Sequence, residues 1–325
     1  MQAFAYVHPE NLKDALASLS PNWGETDVLA GGTDLLALMK DLIHSPKTVV
    51  SLKGVKELKG IKSTAAGVEI GAMTTVDELM SNAAVRAYPA LIQAAAGISS
   101  PQIRNMGTVG GDLCQRPRCW YFRQGFGLLA RKDGKSLVEN GENRYHAIFG
   151  SGPARFVSAS SFAPALIALG AKVKIASAAG EREVAAAGFF AAPAAEGQRE
   201  NVLKPNEIVT AIVVPSAAGA RSATYEVRQK EALDWPLAAA SVVLTMKGTA
   251  VAKASIVMGH VGPVPVAAES AAAMLAGKTI TAETAEAAGA EAVKAARPLK
   301  GNEYKVQLAK VAVKRALLTA AGIKV

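Results

Sequence analysis

The apolar positions change period along the chain, and the changes predict its elements. Residues 2–7 and 26–30 read as short strands on either side of a helix near 10–19. Over 33–42, Leu35, Leu36, Leu38, Met39 and Leu42 fall on the apolar side of a helix. Residues 68–73 predict another strand, and Thr75 with Glu78 forms a Thr-x-x-Glu capping box that opens a short helix. A helix over 84–97 ends at Gly97. The pattern then lapses over 99–145, where Gly, Pro, Arg and aromatic residues follow one another with little periodicity. A stretch that long without regular structure inside a domain is usually functional. Regularity returns with a helix over 163–169, stopped by Gly170, and a hairpin of 172–176 and 182–185 around Ala179-Gly180.

Beyond a linker rich in Ala, Pro and Gly at 191–205, strand-like runs occupy 207–214, 222–229, 237–246 and 251–258. Lys247-Gly248-Thr249 turns the last pair, and Ala-rich helices follow near 267–276, 282–297 and 303–321. No internal repeat is visible. The pattern predicts an α+β protein in two parts, a first domain over 1–200 and a C-terminal domain over 206–325.

Composition narrows the class. The chain has 325 residues, more than one hydrophobic core usually serves. Half are apolar and 19% are charged, which excludes a disordered tail, a collagen-like repeat and a disulfide scaffold. The uncharged run at 156–171 is interrupted by serines and a proline and falls short of the ~20 apolar residues a membrane span needs. The first residues carry no secretory signal, so the expected location is the cytoplasm, with the periplasm open only through co-export with a signal-bearing partner. Lys plus Arg number 36 against 27 acidic residues, a net +9. Most of the excess is scattered, and no zinc-finger spacing or RNA-recognition signature accompanies it, which argues against nucleic acid. Arg116, Arg118, Arg123, Arg131 and Lys132 are the exception, and an Arg-rich loop at 116–132 is expected to dock an acidic partner surface. Both cysteines, Cys114 and Cys119, lie in this segment, and so few suggest a reduced compartment or no use of disulfides.

Two glycine loops carry the candidate chemistry. Ala30-Gly31-Gly32-Thr33-Asp34-Leu35 sits where a strand ends and a helix begins. Such a junction exposes backbone N–H groups at the positive end of a helix dipole, which suits a phosphate, and glycine admits a positive φ and close approach. A plain strand-to-helix turn capped by Thr33 or Asp34 would show the same residues. Thr108-Val109-Gly110-Gly111-Asp112 is a second loop of the same kind. Neither fits the G-x-G-x-x-G fingerprint or a Walker A loop, which argues against nicotinamide binding in a Rossmann domain and against P-loop hydrolysis. No nucleophile or acid–base pair stands out, and His8, His44, His146 and His260 read as isolated structural residues.

AGGTDLLALMK at 30–40 together with IRNMGTVGGDL at 103–113 resembles the flavin subunit of the molybdenum hydroxylases. That family includes xanthine dehydrogenase, carbon monoxide dehydrogenase, 4-hydroxybenzoyl-CoA reductase and bacterial aldehyde oxidoreductases. The resemblance runs from MQAFAYVHP to the C-terminal domain. It implies a two-subdomain PCMH-type FAD-binding domain followed by a small C-terminal α/β domain. FAD would lie between them, with its pyrophosphate on the first loop. It also implies two partners, a large subunit with the molybdopterin cofactor and a small subunit with two [2Fe–2S] clusters, which feed electrons through FAD to an external acceptor. NAD, quinone, ferredoxin and oxygen all remain open as that acceptor, and no catalytic residue is expected on this chain. Carried over, the first loop comprises Asp27, Val28, Leu29, Ala30, Gly31, Gly32, Thr33, Asp34 and Leu35. The second comprises Thr108, Gly110, Gly111 and Asp112, the last where the family usually has Asn. Ser161 stands where the family often places an Asp, and Lys230 is the flavin contact expected from the C-terminal domain.

CQRPRCWYFR at 114–123, with GENRYHAIF at 141–149, resembles the aldehyde oxidoreductase branch, whose inserted loop at 114–145 holds an extra [4Fe–4S] cluster. Such a cluster takes four thiolates and this chain has two cysteines, so the expectation is no metal here. Leu128, Leu129 and Leu137 are expected to fill the space. A flavin-free assembly subunit and a stand-alone flavin oxidase are the competing readings.

Overall fold

The computed structural model describes residues 1–98, 100–229 and 234–324. The chain opens with β1 (Ala5–Val7), α1 (Leu12–Ala17), β2 (Thr26–Leu29), α2 (Leu35–Lys40) and β3 (Thr48–Ser51). Asn11 starts α1 by accepting the Asp14 N–H at 2.9 Å. The three strands form a parallel sheet in the order β1-β3-β2, so the short strand absent from the sequence reading, β3, is its centre. Parallel neighbours need crossover connections, and α1 and α2 lie on these.

A larger unit follows, with β4 (Ile61–Thr64), β5 (Gly67–Gly71), α3 (Val76–Ser81), α4 (Pro89–Gly97), α5 (Pro101–Met106) and α6 (Val109–Cys114). The insert contributes α7 (Trp120–Arg123) and the two-residue strands β6 (Arg131–Lys132) and β7 (Lys135–Ser136). Then come α8 (Phe162–Ala168), β8 (Lys172–Ser177), β9 (Gly180–Ala185) and β10 (Ile208–Pro215). The sheet order is β4-β5-β10-β8-β9, antiparallel throughout. Ile70, Val173, Ile175, Ile212 and Val214 pack from this sheet onto Leu91, Phe162, Leu166 and Phe189.

Two expectations need correction. The strand meant to open the C-terminal domain after residue 205 belongs to the preceding unit, because β10 is the middle strand that joins β5 to β8. The stretch 99–145 is not structureless either: Ser100 caps α5 and Thr108 caps α6, each side chain accepting an amide of its own first turn. Paired glycines inside α6 disfavour a helix by propensity. Packing reverses that here, since a Cβ on Gly110 would stand 2.7 Å from Ala72 Cβ.

The last unit is an antiparallel sheet of β11 (Ala220–Val227), β12 (Ala238–Lys247), β13 (Ala250–Gly259) and β14 (Val266–Ala267), in that order. Against it lie α9 (Glu269–Ala273), α10 (Ala282–Ala292) and α11 (Tyr304–Ala320), whose buried alanines let helix and sheet approach closely. The units meet where α4 crosses β11. There Gln93 Oε1 accepts the Thr224 N–H at 2.7 Å and Ser222 Oγ accepts the Ala90 N–H at 3.3 Å.

The insert has a small core of its own. Phe122, Leu128 and Leu129 pack with Leu38 of α2 and with Ala154 and Phe156. Leu137 is only half-buried, and its neighbour Val138 takes the buried position instead.

Candidate functional site

At the end of β2 the chain turns through Gly31 and Gly32 into α2. Gly32 has φ +84°, a conformation an L side chain rarely adopts. Gly31 is needed for a different reason, because a Cβ there would run into the Met106 carbonyl at the end of α5. Gly111 of the second loop comes within contact distance of the first, a Cβ on it standing 3.9 Å from Ala30 Cβ. The two glycine loops, distant in sequence, therefore lie side by side. They differ in what they leave free. In the second loop the amides of Val109, Gly110, Gly111 and Asp112 are spent on Thr74, Ala72 and Thr108. In the first, among the described residues, the amides of Gly31, Gly32, Thr33 and Asp34 donate to no group of the chain.

Both loops line one cleft of about 1700 Å³, its open mouth included. Asp27, Val28, Ala30, Gly31, Thr33, Asp34, Leu35, Thr108, Gly110, Gly111, Asp112 and Ser161 all face it. Leu29 and Gly32 do not. Leu29 packs beneath the loop with Met39 and Val49, while Gly32 supplies only the turn. Lys230 lies outside the described residues. Ala72, Met73, Leu203 and Ile208 add apolar lining to the cleft.

Asp34 was expected to cap α2 but makes no capping bond. Its carboxylate instead accepts the Arg116 amide at 2.8 Å, Arg118 Nη1 at 2.8 Å and Arg123 Nη2 at 2.7 Å. Asp27 is also spoken for, accepting from His44 Nδ1 at 3.0 Å, while Arg116 Nη1 donates to His44 Nε2 at 2.8 Å. These two contacts fix the imidazole tautomer with its proton on Nδ1. Arg116 also pairs with the buried Glu200, and burial lowers its pKa to about 10. So the arginines at 116, 118 and 123 turn inward and hold the insert against the first glycine loop; only Arg131 and Lys132 of the basic run are exposed. His44, read as isolated, is part of the cleft wall.

Asp112 accepts from Ser160 Oγ, from the Phe162 N–H at 3.1 Å, from the Ser161 N–H at 3.3 Å and from Gln115 Nε2 at 2.8 Å. It is thus a cap for α8 supplied by another helix, and burial raises its pKa to about 6 against those hydrogen bonds. Ser161, on the same turn, makes no side-chain capping bond and faces the cleft. The cysteines remain separate thiols. Burial pushes Cys114 up to about 12 and raises Cys119, whose Sγ lies 3.1 Å from Nε2 of the buried His146. His146 sits on a bend and is buried. Among the described residues no three His, Cys, Asp or Glu side chains gather as metal ligands would.

The FAD binding domain in molybdopterin dehydrogenase matches residues 2–217, and the CO dehydrogenase flavoprotein C-terminal domain matches residues 223–320. The chain belongs to the FAD-binding flavoproteins of the molybdopterin dehydrogenases. It is 31% identical over 320 residues to the carbon monoxide dehydrogenase medium chain of Hydrogenophaga pseudoflava, covering 97% of this chain and 96% of that one. The aldehyde oxidoreductase FAD-binding subunit of Escherichia coli is 29% identical over 316 residues, covering 95% and 96%. Identity therefore does not separate the aldehyde branch, suggested by the cysteine loop, from the carbon monoxide branch. A solved carbon monoxide dehydrogenase of H. pseudoflava superposes with a TM-score of 0.77 at 30% identity, over 99% of this chain and 98% of that one.

FAD is this family's cofactor, and the cleft fits it. The cleft offers unpaired amides at a helix start and apolar side chains for a ring system. No described helix is long and apolar enough to cross a membrane.

Proposed function

We propose that the chain is the FAD-bearing electron-transfer subunit of a heteromeric molybdenum hydroxylase. The observation that carries this reading is the meeting of the two glycine loops at one cleft, with the amides of Gly31, Thr33 and Asp34, which line it, free of partners among the described residues. On this reading those amides hold the diphosphate of FAD. Thr108, Gly110 and Gly111 support them from behind, Asp27 and Leu35 flank them, and Ser161 offers a hydroxyl to the sugar-alcohol part. Lys230 remains the proposed contact from the C-terminal unit. Bound there, FAD supplies two-electron and one-electron redox chemistry. The protein's share is to bind it, orient it and shield it from water.

Among the described residues the cleft wall carries no arrangement of nucleophile, base and orienting group, which supports oxidation of the organic substrate on another chain. The partners are a large subunit with the molybdopterin cofactor and a small subunit with two [2Fe–2S] clusters, which deliver electrons to FAD for passage to an external acceptor. We place the complex in the cytoplasm, a reading that the sparse use of cysteine supports, with co-export to the periplasm on a signal-bearing partner as the alternative. Acid precipitation of the purified chain should release a yellow compound that chromatographs as FAD, and co-expression with neighbouring reading frames should yield a complex containing molybdenum and iron. A colourless chain that takes up no added FAD would make it an assembly subunit, and a monomer that oxidises an organic substrate alone would make it an oxidase.

A further inference from the structure

The cleft has a neighbour. Arg118, Asp234, Trp235 and Pro236 line it on one side and a second cavity on the other, about 910 Å³ with its mouth included. This cavity runs beneath the insert toward the start of α11. The rings of Trp120, Tyr145, Phe156 and Trp235 face it, along with the imidazoles of His146 and His260. Trp120 stands edge-on to Tyr145 and His146, with centroids 5.6 and 5.4 Å apart.

The cations on this wall are already engaged. Lys305 Nζ donates to the carbonyls of His260, His146 and Tyr145 at 2.8, 3.2 and 3.4 Å. Arg118 donates to Asp34 at 2.8 Å and lies 4.5 Å over the Trp235 ring. Burial keeps both imidazoles neutral, lowering His146 to about 4 and His260 to about 3. Burial likewise keeps Cys119 a thiol, which does not add to electrophilic rings as a thiolate would.

These walls select by chemistry. Aromatic faces and edges favour a planar ring system. Among the described lining residues no cation is left to pair with a diphosphate, so this wall suits an uncharged ring system better than a pyridine dinucleotide. The exposed Tyr145 hydroxyl and the Gln229 carboxamide, held to each other by a long 3.4 Å bond, are free to turn toward a carbonyl oxygen. We propose that the second cavity binds a quinone-class electron acceptor, one layer of side chains from the flavin cleft. The proposal rests on the FAD reading. Two electrons and two protons leave the reduced flavin, both quinone C=O groups become C–OH, and the flavin returns to its oxidised form.

The test uses the flavin-loaded chain and duroquinone, whose fully substituted ring cannot add a thiol. Trp120 and Trp235 line the cavity, so binding should quench tryptophan fluorescence saturably. Ala159→Phe thrusts a ring into the space and should weaken binding about tenfold or more while flavin absorbance and melting temperature hold. Val157→Phe does the same from the adjoining wall position if the first variant fails to fold. Linear quenching would overturn the proposal. So would equal affinity in folded variants, or saturable quenching by NAD that these variants abolish. Absorbance read before the titration judges the FAD reading separately, and duroquinone added to a colourless chain still decides for or against the cavity.

Discussion

Remove the charge of Asp34 and three donors from the insert lose their acceptor at once: the amide of Arg116 and the guanidinium groups of Arg118 and Arg123. Asp34→Asn keeps the shape but turns one oxygen into a donor facing cations. Because these groups are mostly but not wholly buried, the expected loss is roughly 1–3 kcal/mol. Urea unfolding of the purified chain measures it, and an unchanged midpoint would show that the arginines find other partners. Gly32→Val tests the adjacent turn. The left-handed backbone costs a branched residue roughly 1–2 kcal/mol, and relaxing it moves the amides that flank position 32. FAD released per chain should therefore fall well below that of the parent protein. Full flavin content in a folded Gly32→Val chain would place the diphosphate elsewhere.

The insert behaves as an element with its own small core, and Leu129 of that core lines neither cavity. Leu129 is buried between Phe122, Phe156 and Leu38, and Leu129→Ala should cost roughly 2–5 kcal/mol. Limited proteolysis should then cut within 114–149 sooner than in the parent; equal rates would mean that the arginine contacts alone hold the insert. At this scale the sequence was readable wherever the cause was local. The Thr75–Glu78 capping box, the Gly-Gly turn into α2 and the Ala179-Gly180 hairpin are each written within a few residues. The helix α6 was hidden, because its paired glycines disfavour a helix and Gly110 is required there by its close packing on Ala72. The Asp27–His44–Arg116 relay was hidden for the same reason, its members being brought together by the fold and not by spacing.

For the molecule as a whole, acid should be destabilising in a defined window. His146 and His260 ordinarily titrate at 6.5, but burial lowers them in the folded chain to about 4 and about 3. Between these values the unfolded chain binds more protons, so stability present above pH 6.5 is lost as pH falls toward 4. Asp112, raised from 3.8 to about 6, works the other way over part of that range. The clean measurement is therefore a comparison: His146→Phe should flatten the plot of unfolding free energy against pH between 6.5 and 4, and an unchanged slope would mean that the imidazole is charged in the fold. A last consequence concerns synthesis. Ile70 on β5 pairs with Ile212 on β10, and β8 reaches β5 only through that same strand. A ribosome adding roughly 5–20 residues per second takes on the order of ten seconds to travel from one to the other. Throughout that interval the nascent chain presents an open, apolar strand edge, the surface that holding chaperones bind and that crowded polysomes can join in error.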